Sequence, residues 1–238
     1  MKIGSSNLSP AIAERPGRQS FTLALSAALA VSVGGMIALA FPETAFGGET
    51  GPAPKVTILI YNYAQVTRAV LTGAEREAGR IFADAGISIL WFECPAVPST
   101  AGPQGLCQNA SESKDIRLQL LSAPIKSNSQ DSVWGLAVRP DIASVYYEYV
   151  VRLAVAYEFE VDSILGAVIA HEIGHLLLGP NSHYGIGIMR PQWSFEQVRQ
   201  VMMGTLLFTP EQSKHLRALA QTRMRLETED VEVQHMGK

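Results

Sequence analysis

The sequence predicts an α/β (α+β) domain: a mixed, twisted sheet of about five strands with one antiparallel edge strand, a buried central helix and C-terminal helices. Three observations lead there. Between residues 55 and 92 a β-branched run, a helix-periodic run and a second β-rich run follow one another. Three further short strand-like segments lie between residues 115 and 149. Residues 163–178 are then apolar on nearly every helical face, which marks a helix running through a core rather than along a surface.

Lys55–Tyr61 is rich in β-branched residues and reads as a strand. From Ala69 to Ala85 the apolar residues Val70, Leu71, Ala74, Ala78, Ile81 and Phe82 recur at helical spacing, up to Gly86. Ile87–Phe92 is the second strand, and a strand–helix–strand unit of this kind makes a parallel pair. Asp115–Leu121 alternates as a half-exposed strand does. Val133–Val138 and Ala143–Tyr149 are two more, joined by Arg139-Pro140-Asp141. Gly135 and the proline-containing turn place the first of them at a sheet edge. Residues 150–157 fit a strand end or a helix equally, and Glu158 and Glu160 read as a solvated linker. Ser194 opens a helix over Phe195–Met203, and Pro210 opens another over Glu211–Arg225 behind Thr209 as cap. Residues 55–226 are expected to form one domain, with 227–238 a frayed polar tail.

Residues 1–20 are polar with Lys2, Arg15 and Arg18, and residues 21–40 are uncharged and apolar, ending Ala38-Leu39-Ala40. This describes a secretory signal, although a run of about 20 residues also suffices for a retained membrane anchor. Either way the remainder is expected outside the cytoplasm, since nothing else looks apolar enough to span. Residues 41–54 form a Gly- and Pro-rich linker. In that compartment the two cysteines, Cys94 and Cys107, are expected to pair across a loop without periodicity, contributing about 3 kcal/mol on the chain-entropy estimate. A net charge of −3 with scattered basic residues argues against nucleic acid as a partner, and a monomer is expected.

The chemistry concentrates at His171-Glu172-Ile173-Gly174-His175, followed by Gly179 and His183. Residues four apart share one face of a helix, so His171 and His175 can point at one metal ion, with Glu172 reaching its open side. Zinc suits a pair of imidazoles. The plainer alternative is two hydrogen-bonded core histidines with a paired glutamate. The apolar surroundings weigh against it, because buried polar groups cost free energy unless something satisfies them. Asp162 or Ser163 is the expected N-cap; Gly179 stops the helix and Pro180 prevents its resumption.

His-Glu-x-x-His, a helix-ending glycine, a third histidine and the methionine of Gly185-Ile186-Gly187-Ile188-Met189-Arg190-Pro191 resemble the metzincin clan of zinc peptidases. The resemblance implies His171, His175 and His183 as ligands of Zn2+, Glu172 as general base and Met189 as the methionine of a tight turn beneath the metal. Met189-Arg190-Pro191 is closer to the matrixin branch. It also implies that the edge strand upstream of the site helix pairs with an extended peptide or protein substrate. One departure is visible: three residues stand on each side of Gly179, where the clan has two.

Two rivals remain open at this level. A thermolysin-like site would take Glu196 as third ligand, although Gln200 stands where that family has an acidic residue. A non-catalytic exported module would use zinc only to staple the fold, but then Glu172 would have no purpose beside the metal.

Overall fold

Strand β1 (Lys55–Asn62) lies inside a five-stranded sheet whose order is β2-β1-β3-β5-β4. The computed structural model describes residues 52–95, 107, 115–124, 134–138, 141–179 and 182–236, and side chains as far as residue 225. The polar and apolar segments of residues 1–40 and most of the 41–54 linker lie outside these, as do Pro180 and Asn181.

Helix α1 (Arg68–Asp84) connects β1 to β2 (Ser88–Cys94), and the two strands are parallel with Ile58 opposite Trp91. Strand β3 (Ile116–Leu121) adds to the other side of β1 in parallel, Ile60 opposite Leu118. Its expected alternation is present: Ile116, Leu118 and Leu120 are buried, while Arg117, Gln119 and Leu121 are half-buried. Strand β5 (Ile142–Tyr146) is parallel to β3, and β4 (Gly135–Val138) closes the sheet as its antiparallel edge, Gly135 opposite Val145. Asp141, in the turn between them, is clamped to β3 by the Arg117 guanidinium at 2.6 Å.

The fifth strand is shorter than its sequence suggests. Tyr147–Tyr157 is helix α2, so the aromatic run Tyr146-Tyr147-Glu148-Tyr149 turns from strand into helix at its first residue. Aromatic residues favour strands only weakly, and burial of Val150 and Ala154 on one helical face outweighs that preference here. Glu158 ends α2 at φ 57°, ψ 42°, and both Glu158 and Glu160 are exposed.

Helix α3 (Val161–Leu178) begins two residues earlier than a cap at Asp162 would set it, and three earlier than a cap at Ser163. Glu160 holds the N-cap position without a side-chain bond, and Asp162 sits in the first turn, accepting the Ser163 N–H at 2.8 Å. The helix has the length and composition of a membrane span, contrary to the reading that only residues 21–40 do. It is a core helix: 67% of it is buried inside the fold. Gly166 makes this packing close, since a Cβ there would lie 2.6 Å from the Ala74 carbonyl oxygen of α1. Gly179 ends α3 at φ 88°, ψ −177°, a backbone conformation outside the left-handed helical cap and open essentially to glycine alone.

Helix α4 (Phe195–Met202) starts at a Ser194–Gln197 capping box, and α5 (Pro210–Met236) starts at Thr209, whose hydroxyl accepts the Gln212 N–H. The last helix continues to Met236 rather than fraying after residue 226. Leu216 and Ala220 bury its inner face, and the Arg217 guanidinium donates to the Ala85 carbonyl at the end of α1. Cys94 and Cys107 form a disulfide with Cα atoms 5.8 Å apart.

Candidate metal centre

Helix α3 sets two imidazoles on one face by their spacing. The Nε2 atoms of His171 and His175 are 3.1 Å apart. The chain beyond Gly179 returns so that His183 Nε2 also lies 3.1 Å from His175 Nε2. The third ring therefore joins the other two, with three residues on each side of Gly179 in the sequence. Among the described residues this is the group of His, Cys, Asp and Glu side chains whose ligand atoms all fall within 4.8 Å of one another.

The opposite edge of each ring decides what that point can hold. His171 Nδ1 lies 2.8 Å from the Ile188 carbonyl oxygen, which can only accept, so Nδ1 carries the proton and Nε2 presents a lone pair. His175 Nδ1 lies 2.8 Å from Ser182 Oγ, a buried hydroxyl that can take its proton in the same way. Lone pairs brought together at 3.1 Å repel one another unless a cation stands between them. Tetrahedral zinc with nitrogen ligands at ~2.0–2.1 Å requires nitrogens about 3.3 Å apart, and the distances from His175 Nε2 to its two partners, 3.1 Å each, come within a few tenths of an ångström of that. The rings are also kept neutral. Burial pulls His171 and His175 down to about 4, with His183 adding to the effect on both and His171 to that on His175.

Glu172 is 6% exposed, and burial pushes its carboxyl up to about 8. A dication beside it would favour the carboxylate instead. Its slot is bounded by the edge strand: a Cβ placed on Gly135 would come within 2.6 Å of the Glu172 carboxyl carbon.

Beneath the helix, Met189 is fully buried, and a Cβ on Gly174 would lie 2.7 Å from its sulfur. Gly174, between the two helical histidines, is thus the gap into which the thioether fits. The turn bearing Met189 is tied by Tyr184 N–H to the Met189 carbonyl (2.9 Å) and by Ile188 N–H to the Leu207 carbonyl (2.9 Å). Trp193 Nε1 shares the Ile188 carbonyl with His171, at 3.2 Å. Trp193 is accordingly a buried part of the site's support, whereas Tyr184 is exposed.

The rival third ligand stands apart. Both Glu196 oxygens are held at 3.0 Å by the Arg199 guanidinium on the surface of α4, and Glu196 does not join the histidine cluster. Sequence reasoning also missed Ser182, the Ile188 carbonyl, Gly135 and Gly174. Only Gly174, by its place between the histidines, carried a local signal.

No protein-family model and no curated protein matches the chain. Among solved structures it is similar to a zinc-dependent peptidase from Methanocorpusculum labreanum (strain Z), at 14% identity and a TM-score of 0.46, over 67% of this chain and 99% of that one. The chemistry rests on the geometry of the site itself.

Proposed function

We propose that the protein is a zinc-dependent endopeptidase of metzincin type that acts outside the cytoplasm. The observation that carries this reading is the meeting of three imidazole Nε2 atoms beside a buried glutamate. His171, His175 and His183 would hold the metal, and Met189 would serve as the turn methionine under it. When bound, zinc supplies Lewis acidity toward a carbonyl oxygen and toward water. Three neutral ligands leave its charge uncancelled, which suits that task.

The chain's own residues supply the rest. Glu172 takes the proton of the attacking water and returns it to the departing amine, a base and then an acid. Ser182 and the Ile188 carbonyl hold the helical imidazoles in the tautomer that ligates. Among the described residues strand β4, beside Glu172, has no strand on its outer edge, where an extended peptide would add as a further strand. The disulfide fits an oxidising compartment, and residues 21–40 would bring the domain there as a cleaved signal or a retained anchor.

Glu172→Gln should retain one zinc per chain and lose hydrolysis of denatured casein by a factor of at least about 100. An active Glu172→Gln enzyme would contradict the reading. The second reading, a zinc-stapled binding module, predicts instead that chelation unfolds the domain and that no cleavage occurs in the parent protein.

A further inference from the structure

We infer that Gly135 is a positioning residue for Glu172, an inference that rests on Glu172 acting as the base. The edge strand is then a template for substrate on one side and the wall of the base's slot on the other. An ideal Cβ on Gly135 would stand 2.5 Å from Glu172 Cγ, 2.6 Å from Cδ and 2.6 Å from Oε1. These are its three nearest neighbours, so the space that a side chain would fill is occupied by the glutamate itself. Gly135 is buried and its strand position is fixed by pairing with Val145, while the adjoining Trp134 carbonyl accepts the Tyr146 N–H at 2.8 Å. The strand cannot retreat without breaking this ladder. Glu172, a side chain with rotatable bonds, must move instead; no histidine atom is among the three nearest to that Cβ.

The conformation of Gly135 is extended and asks nothing special of the backbone, since its φ is not positive. The requirement for glycine here is therefore one of space. A glycine also weakens a strand, and that weakness is tolerated at the one point where the carboxylate lies against the sheet.

Gly135→Ala should keep one zinc per chain and leave KM within about twofold. Its kcat should fall about 10–100-fold, as expected when a reacting group is displaced by about an ångström. A crystal structure of Gly135→Ala, with or without zinc, should show the Glu172 carboxyl moved by more than about 1 Å. That readout is independent of whether the parent enzyme cleaves peptides, so an inactive parent would sink the peptidase reading and still leave this inference to be judged. A carboxyl found in place, or an unchanged kcat in an active parent, overturns it. Should Gly135→Ala fail to fold, the same substitution is made on Glu172→Ala, which lacks all three obstructing atoms. The double variant should then melt within about 2 °C of Glu172→Ala alone. A double variant that also fails to fold would show that the intolerance at position 135 has nothing to do with Glu172.

Discussion

His171, Glu172 and His175 were legible because a helix makes their spacing a statement about geometry. Ser182, Gly135 and the Ile188 carbonyl were not, because their roles come from chain segments meeting in space. The removal of Glu172 and the helical histidines from water, nearly complete for Glu172 and partial for His175, has a consequence in the metal-stripped protein. Glu172 rises from 4.5 to about 8 in the folded chain, so between those values the folded state binds a proton that the unfolded state has released. Stability therefore falls as pH rises through that window. His171 and His175 have the opposite sign: each drops from 6.5 to about 4, the unfolded state binds the extra proton, and stability rises with pH between those values. In chelator-treated protein, Glu172→Gln removes only the first effect. Its melting temperature should exceed that of the parent by a few degrees at pH 8, with the gap closing toward pH 5. A gap independent of pH would show that the carboxyl does not titrate as its burial demands.

At the scale of elements, β1, α1 and β3 follow directly from β-branched runs, helical periodicity and clean alternation. The boundary between β5 and α2 did not, since three tyrosines favour a strand locally while Val150 and Ala154 commit the segment to a helix through packing. A spacing of Tyr147, Val150 and Ala154 was the available signal. The sheet's other edge, β2, ends at Cys94 and is clipped there to Cys107. The two cysteines are 13 positions apart in sequence, and removing the bridge frees that loop in the unfolded chain. Cys94→Ser with Cys107→Ser should cost about 3 kcal/mol on the chain-entropy estimate. For a domain of this size that is a drop in melting temperature of about 6–12 °C. Zinc content should not change, because the clip lies at the opposite edge of the sheet from β4. Loss of zinc in the double variant would tie the clip to the metal site, against this account.

For the molecule as a whole, one apolar helix serves both fold and chemistry. Helix α3 packs on α1 through Gly166, on Met189 through Gly174 and beside β4 through Glu172, so its burial and its ligands are set by the same residues. This explains why a segment with the composition of a membrane span belongs to the core. Beyond Gly179 only a single imidazole has to be placed, and His183 lies within reach of His175. The most direct test is zinc-edge X-ray absorption on the zinc-loaded protein beside its His183→Ala variant. Three imidazole nitrogens at ~2.0–2.1 Å are expected in the parent and two in the variant, with weaker zinc binding. The same three-imidazole spectrum from both proteins would show that His183 is not a ligand and would contradict the three-histidine centre.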